Sequence, residues 1–135
     1  MSRIPILVAL LFCGVPKVAR TQEAAPPDLS KAIKERGAAV DKVDMPAWER
    51  YTTTRFTVVQ PTGKMLSHAE RTAELRQAKP AATPSKCDQE RTTVFADGLG
   101  ATHRCLQDGI WWLTVLTKAG TEWKVVAVQG TTAAK

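Results

Sequence analysis

The second half of the chain consists of strand-like segments, and this feature constrains the fold more than any other. Residues 88–96, 101–107, 110–117 and 123–129 are each predicted to be a strand, with polar threonines placed between apolar residues. This pattern is typical of a sheet that packs one face on a core while the other face is solvated or paired. With a length of 135 residues and no internal repeat, the chain is expected to form one folded domain.

Two helices are predicted before the first strand. Residues 29–43 carry apolar side chains at helical spacing, and Asp28 stands directly before them as a potential N-cap. Asp44 offers the same cap to a second, shorter helix, in which Trp48 and Tyr51 are three residues apart and share one face. The second helix is therefore expected to present an aromatic surface to the sheet.

A strand, a turn and a third helix follow. Residues 55–60 form a β-branched run that ends at the Pro-Thr-Gly turn of residues 61–63. Ser67 and Glu70 have the spacing of a capping box, and residues 71–77 are good helix formers. The order helix, helix, strand, helix and then strands predicts an α+β fold with the helices on one face of an antiparallel sheet.

Two segments resemble the nuclear transport factor 2-like superfamily, closest to its SnoaL-like and DUF4440 branch. FTVVQPTGKMLS at residues 56–67 is similar to the strand, Pro-x-Gly turn and helix cap of that family, and GTEWKVVAVQGT at residues 120–131 is similar to its ending. The resemblance covers residues 29–132. It implies a cone-shaped curved antiparallel sheet with three N-terminal helices packed on its concave face, and a homodimer formed through the open face of the sheet.

The first residues are typical of a secretory signal peptide. Arg3 supplies a positive charge, and the apolar run over residues 4–15 is too short for a membrane span, which needs about 20 residues. We therefore expect residues 1–25 to be a cleaved signal and linker, residues 26–135 to be the folded domain, and the mature protein to be secreted or periplasmic. Lipidation of Cys13 is an alternative fate of the same segment.

The charge distribution argues against nucleic-acid binding. The full chain has a formal net charge of +6, but its basic side chains are spread singly among acidic ones and form no stripe with interleaved aromatic residues. A metal site needs three or four converging ligands, and no such spacing occurs in the sequence. We expect no nucleic-acid partner, no membrane span, no cofactor and no metal.

Two cysteines of the expected mature chain, Cys87 and Cys105, can form a disulfide in an oxidising compartment. If residues 97–100 turn a hairpin, Cys105 faces a position near Thr92, which leaves Cys87 about five residues, or roughly 16 Å, away along the strand. This register disfavours the bond, and the sequence leaves the pairing open.

The catalytic residues of an isomerase are missing from the positions at which the resemblance places them. The ketosteroid isomerases of this superfamily need a carboxylate base, a tyrosine and a protonated carboxylic acid. Counted without gaps, these positions fall on Gln60, Arg36 and Leu113, none of which supplies that chemistry. His68 and His103 belong to no nucleophile or metal motif. The sequence therefore indicates no catalytic residues and favours a protein that is not an isomerase.

Three hypotheses for the function remain. The first is a binding module in which the cone forms an apolar pocket for a small ligand, and the second is a dimeric scaffold whose pocket is filled by its own side chains. The third is an uncharacterised enzyme of the SnoaL-like type. In the binding hypothesis Arg36 holds an anion at the mouth of the pocket. The expected lining comprises Trp48, Tyr51, Gln60 and either Trp111 or Leu113.

Overall fold

The computed structural model describes residues 24–135, which contain three helices and six strands. In chain order the elements are α1 (Pro27–Lys42), α2 (Met45–Arg50), β1 (Thr52–Val59), β2 (Met65–Ser67), α3 (His68–Gln77), β3 (Gln89–Val94), β4 (Gly100–Gln107), β5 (Ile110–Ala119) and β6 (Glu122–Thr132). The predicted signal peptide lies outside the described residues, apart from residues 24 and 25. None of the helices among residues 24–135 combines the length and the hydropathy of a membrane-spanning segment.

The six strands form one sheet in the order β2-β1-β6-β5-β4-β3. The last four strands pair antiparallel through consecutive hairpins, as the strand-like run predicts. β1 is the exception, because it pairs in parallel with β6 and antiparallel with the short strand β2. The α+β fold is confirmed, whereas the sheet is mixed and not wholly antiparallel. The long connection between β1 and β6 allows the two strands to lie side by side in the same direction.

The helices cover one face of the sheet, which we call the inner face. Phe56 and Val125 lie on this face and are 2% exposed, within the same core cluster as the buried helix residues. The opposite face is the outer face. It carries Arg104, Leu113 and Gln129, which pair in one row across β4, β5 and β6. Successive strand residues alternate between the two faces, except at the register irregularities of β1 with β6 and of β5 with β6.

α1 begins slightly earlier than predicted, and its cap differs from the expected one. Pro26 occupies the N-cap position, while Asp28 lies inside the first turn and accepts a hydrogen bond from the Leu29 N–H over 2.9 Å. The other oxygen of Asp28 accepts from Trp123 Nε1 over 3.2 Å. Asp28 therefore attaches α1 to β6 instead of capping the helix. The helix ends at Lys42, and the C-cap residue Val43 adopts a left-handed conformation with φ of 57°.

The predicted caps of the other two helices are confirmed. Asp44 accepts a hydrogen bond from the Ala47 N–H over 3.2 Å at the start of α2. Ser67 and Glu70 form a reciprocal capping box at the start of α3, in which the Ser67 N–H donates to Glu70 Oε2 over 2.7 Å. These local interactions set where α2 and α3 begin, and so set which side chains the two short helices present to the sheet.

The core lies between the three helices and the inner face. Next to this core, β5 and β6 approach each other closely. A Cβ atom on Gly130 would lie only 2.6 Å from the Trp112 ring. Glycine is therefore the residue that allows the Trp112 ring to lie against β6. The largest members of the core cluster are Leu29, Trp48, Tyr51, Phe56, Leu66, Leu75, Leu116 and Trp123.

The β3–β4 hairpin differs in register from the expectation by two residues. Cys105 lies opposite Glu90 and not opposite Thr92, because the turn is wider than expected and spans residues 95–99. Cys87 is therefore close enough to reach Cys105 from the segment before β3. The two cysteines form a disulfide with a Cα–Cα distance of 5.3 Å. The predicted register, which disfavours this bond, is wrong.

Candidate functional site

Trp48 lies at the centre of the helical layer and is 1% exposed. Its ring meets the ring of Phe56 edge to face, with centroids 5.7 Å apart. The His68 ring of α3 also adjoins Trp48, with 5.1 Å between the ring centroids. Trp48 therefore packs α2 against both β1 and α3, and these core contacts cover much of its surface.

Arg36 extends from α1 into the same region. Its Nε donates a hydrogen bond to Thr52 Oγ1 over 3.0 Å. The guanidinium carbon lies 5.1 Å from the Phe56 ring centroid and 5.9 Å from that of Trp48. Cation–π attraction to both rings holds the guanidinium in place. The structure thus brings together two of the predicted ligand-binding residues, Arg36 and Trp48.

The charge of Arg36 has no acidic partner among residues 24–135, because none of their salt bridges involves it. Arg71 of α3 is close enough to repel it, and Arg71 is itself paired with Glu74 over 2.8 Å. Burial, together with the positive charge of Arg71, lowers the pKa of Arg36 to about 9. Arg36 therefore stays protonated at neutral pH, in surroundings that favour the arrival of a negative charge.

Two buried polar groups at the junction of α2 and α3 also lack partners. Within the described residues, Trp48 Nε1 and Thr72 Oγ1 are buried and form no hydrogen bond. Thr72 lies one helical turn after His68, which contacts Trp48, so both groups border the same junction. An unsatisfied buried group costs about 1–3 kcal/mol and is uncommon in native proteins. Both groups can donate a hydrogen bond, and an acceptor would reach them only if the junction of the two helices opened.

Gln60 follows the end of β1 and approaches α3. Its Nε2 lies 3.5 Å from Glu74 Oε1, while Glu74 Oε2 accepts from Arg71 Nη1 over 2.8 Å. The three side chains form a polar bridge between β1 and α3. A neutral amide donates and accepts hydrogen bonds but does not take up a proton at neutral pH. Gln60 can therefore position a ligand, and it cannot act as a base.

Tyr51 is 5% exposed, and its hydroxyl donates a hydrogen bond to Glu35 of α1. This hydrogen bond and then burial raise the pKa of the phenol. The Arg50 guanidinium lies 5.4 Å from the tyrosine ring centroid and pairs with Glu122 over 2.7 Å. The hydroxyl of Tyr51 is thus bound within a network of charged side chains at the surface. The tyrosine ring belongs to the core cluster, and its hydroxyl is already hydrogen-bonded to Glu35.

Trp111 and Leu113 do not lie with the other predicted site residues. Leu113 belongs to the outer row, and Trp111 has the same orientation because it is two residues away on β5. The expectation that either one lines the interior is wrong, because a one-residue change of register moves a strand side chain to the other face. The two residues instead border an outer-face groove of about 380 Å³. Its remaining lining consists of Arg104, Trp112, Gln129 and Thr131.

A second cluster, not predicted from the sequence, lies at the β3–β4 edge of the sheet. Cys87, Glu90 and His103 each bring a potential ligand atom to within 4.8 Å of the others. His103 is 7% exposed, and its Nε2 lies 3.1 Å from Glu90 Oε2. The three residues have no motif spacing along the chain. The hairpin register was the signal that would have found them, because it places Glu90 opposite Cys105 and beside His103.

Solved structures of other proteins share this architecture. An NTF2-like protein from Cytophaga hutchinsonii superposes with a TM-score of 0.67 at 16% identity, over 77% of this chain and 94% of that chain. An NTF-2 like protein of unknown function from Silicibacter pomeroyi gives a TM-score of 0.62 at 19% identity, over 78% and 92% of the two chains. A protein from Shewanella frigidimarina, described as a candidate ketosteroid isomerase, gives a TM-score of 0.63 at 15% identity, over 75% and 92%.

No protein-family model and no curated protein matches the sequence. At identities below 20%, the structural likeness shows the fold and leaves the activity open, because one fold supports many functions. The helix order and the six-stranded sheet agree with the resemblance found in the sequence. Together with the superpositions, they show that this chain has the NTF2-like fold.

Proposed function

We propose that this domain is a small-molecule-binding module whose ligand combines an apolar body with a carboxylate. The main support is the partly buried Arg36 guanidinium, which has no acidic partner among residues 24–135. A charge removed from water is costly unless it is paired, and a ligand carboxylate supplies the missing partner.

The chemistry of the guanidinium fits this role. Its Nε is used by Thr52, and within the described residues its two terminal nitrogens form no hydrogen bond. Arginine binds carboxylates through parallel hydrogen bonds of this planar fork, and such charge-assisted bonds are stronger than neutral ones. The unpaired Trp48 Nε1 and Thr72 hydroxyl lie enclosed at the neighbouring helix junction, where a local opening would make them available to a ligand. The unpaired positive charge of Arg36 favours an anionic ligand over a cationic one.

The surrounding rings favour an apolar ligand body. Trp48 and Phe56 lie next to each other and both adjoin the Arg36 guanidinium, so they provide aromatic surface beside the charge. A ligand that places a carboxylate at Arg36 would have its hydrocarbon part against these side chains. Binding pockets commonly combine such apolar walls with a few polar groups that fix orientation.

The same residues give little support to a catalytic role. Gln60 occupies the position that the family resemblance assigns to the isomerase base, and an amide does not accept a proton at neutral pH. Glu74, the carboxylate nearest to it, is already bound by Arg71. We therefore infer binding without isomerase chemistry, and an enzyme of the SnoaL-like type remains the weaker alternative.

The scaffold hypothesis has one observation in its favour, which is the 1% exposure of Trp48. A tryptophan buried this deeply fills space that a ligand would otherwise use. We propose that the ligand lies beside Trp48, at Arg36, and does not displace the ring. A scaffold that binds no ligand would offer no charge partner for the unpaired Arg36 guanidinium.

We also propose a homodimer formed through the outer face. Trp111 is 36% exposed there and lies next to Leu113 in the groove of about 380 Å³. Exposed apolar surface of this kind is typical of protein interfaces. Leu113→Asp should yield a monomer in sedimentation velocity at micromolar concentration. A wild-type protein that is already monomeric at that concentration would contradict the dimer.

Export and the branch within the superfamily stay proposals. The disulfide between Cys87 and Cys105 supports export to a secreted or periplasmic location, because such bonds persist in oxidising compartments. The assignment to the SnoaL-like and DUF4440 branch rests on the sequence resemblance alone. Mass spectrometry of the protein from its own cell envelope tests export, since a product that keeps its first residues would contradict it.

A panel of aryl and short alkyl carboxylates tests the binding proposal. Binding should raise the melting temperature, since a ligand stabilises the folded state that it binds. It should also change tryptophan fluorescence, because Trp48 adjoins Arg36. Gln60→Leu should weaken the response by removing a polar contact. A panel that shifts neither signal would contradict the proposal.

A further inference from the structure

The disulfide shares one corner of the sheet with a histidine and a carboxylate. Cys105 is 8% exposed on the inner face of β4, two residues from His103 on the same strand. Glu90 of β3 lies opposite Cys105, and Cys87 joins this pair from the segment before β3. The corner therefore contains two sulfur atoms, an imidazole and a carboxylate that come from two adjacent chain segments.

We propose that reduction of this disulfide creates a zinc site with Cys87, Cys105, His103 and Glu90 as ligands. A dithiol reductant transfers two electrons and two protons to the disulfide. The cysteine S–S bond breaks, two cysteine thiols form, and the dithiol becomes a disulfide. Zn²⁺ then displaces the two thiol protons to solvent and binds both thiolates. In the oxidised protein neither sulfur is a thiolate, so the site is closed.

The distances suit a tetrahedral zinc ion. Zinc lies about 2.3 Å from sulfur and about 2.0–2.2 Å from nitrogen or oxygen, which places tetrahedral ligand atoms roughly 3.5 Å apart. The ligand atoms of Cys87, Glu90 and His103 already lie within 4.8 Å of one another, and the His103 to Glu90 contact is 3.1 Å. After reduction the two sulfur atoms must move apart by roughly 1.5 Å to reach the same spacing. The shifts needed for Cys87, Glu90 and His103 are of the order of an ångström, and the Cys105 sulfur, which lies outside this group of three, must also turn toward them once the disulfide is open.

The surroundings allow this movement and give the ion access. β3 is an edge strand whose residues are mostly exposed, so it can shift without disturbing the core. Glu90 has 66% of its side chain exposed, while His103 has 9%. The carboxylate thus faces solvent, and the imidazole forms the buried wall of the site. An ion can enter from the Glu90 side and meet the other ligands behind it.

The ligand types select zinc over harder ions. Two thiolates and an imidazole suit a borderline-soft cation, whereas magnesium and calcium prefer oxygen ligands throughout. Four protein ligands would close the coordination sphere, as in structural zinc sites. The site would therefore hold the β3 edge against β4 in the reduced protein, as the disulfide does in the oxidised protein.

Metal titration of the oxidised and reduced protein tests the proposal. With a phosphine reductant that does not compete for metal, the reduced protein should bind one Zn²⁺ per chain against a chromophoric chelator. The oxidised protein should bind none. Co²⁺ should give the thiolate charge-transfer band and the strong visible absorption of a tetrahedral site with sulfur ligands.

Variants separate the site from general thiol binding. His103→Gln should lower the zinc affinity of the reduced protein by at least about 100-fold, since even residues that only support ligands contribute 10- to 100-fold. Glu90→Gln should lower it by about 10-fold, and His68→Gln should leave it unchanged. Equal zinc uptake by the wild type and His103→Gln, or no uptake by the reduced wild type, would overturn the proposal.

Loss of structure on reduction would not obscure the outcome. If the reduced protein loses its near-ultraviolet circular dichroism, one equivalent of Zn²⁺ should restore it, because zinc binding contributes directly to folding. Failure of zinc to restore the signal would also overturn the proposal.

Discussion

The guanidinium carbon of Arg36 lies 5.1 Å from the centroid of the Phe56 ring. This contact carries a positive charge into the aromatic part of the core, where no acidic group among residues 24–135 pairs with it. Natural proteins keep an arrangement that lowers stability mainly where function needs it. Mutation of Arg36 therefore tests directly whether this unpaired charge is kept for ligand binding.

Replacement of Arg36 by methionine should stabilise the ligand-free protein. Arg36→Met keeps an unbranched side chain and removes the unpaired charge. The cost of burying this charge should exceed the gain from the Thr52 hydrogen bond and the ring contacts, so the free energy of unfolding should rise by roughly 1 kcal/mol. Urea denaturation measures this change. Arg76→Met is the matched control, because Arg76 is exposed on α3 and its replacement should change stability by less than about 0.5 kcal/mol. A loss of stability in Arg36→Met would indicate a structural role for the arginine.

Truncation of Trp48 should damage the core. Trp48→Ala should lower the free energy of unfolding by about 3–5 kcal/mol, the range for large aromatic truncations. Trp111→Ala offers a control with the same chemistry on the outer face, where the side chain is 36% exposed. Its effect on the unfolding of the monomer should be below about 1 kcal/mol. Similar losses in both variants, measured by chemical denaturation, would contradict the described packing.

Removal of the disulfide should lower stability by about 3 kcal/mol, because the bond closes a loop with a sequence separation of 18 residues. The double variant Cys87→Ala with Cys105→Ala avoids any free thiol and should show this loss in metal-free buffer. The oxidised wild type under the same conditions is the reference. Equal midpoints of denaturation for the two proteins would show that the bond does not constrain the chain.

Glu70 should make stability depend on pH in the acid range. The Ser67 backbone N–H and then the Ser67 hydroxyl hold the pKa of Glu70 below its ordinary value of 4.5. A lowered folded pKa stabilises the protein fully above about pH 4.5, and this contribution is lost as the pH falls through the folded pKa. Glu70→Gln should therefore lose less stability than the wild type between pH 5 and about pH 3. Melting curves recorded across this pH range measure the effect. An equal loss of stability in Glu70→Gln and in the wild type would contradict the prediction.

The local parts of the fold could be predicted from the sequence, because each is specified by neighbouring residues. Asp44 and the pair Ser67 and Glu70 occupy cap positions whose hydrogen bonds form within one turn of helix. The alternation of threonine with apolar residues likewise predicted the strands of the C-terminal half. These signals depend on spacing along the chain and need no knowledge of distant contacts.

The remaining features depend on contacts between distant segments. The parallel pairing of β1 with β6 joins strands that are far apart in sequence, and no local pattern specifies it. The inward or outward direction of Trp111 and Leu113 depends on a register that a shift of one residue reverses. The disulfide depends on a hairpin register that differs by two residues from the expected one. The unpaired state of Arg36 becomes visible only when its spatial neighbours are known.

The most direct test of the binding proposal compares matched ligands by isothermal titration. An aryl carboxylate from the panel and its primary amide have nearly the same shape, and they differ in the charge that Arg36 would bind. The wild type should bind the carboxylate at least about 10-fold more tightly than the amide, which corresponds to about 1.4 kcal/mol. Arg36→Met should lose this preference, and Arg76→Met should keep it. Equal affinity of the wild type for carboxylate and amide, or a preference that survives in Arg36→Met, would contradict an anion site at Arg36.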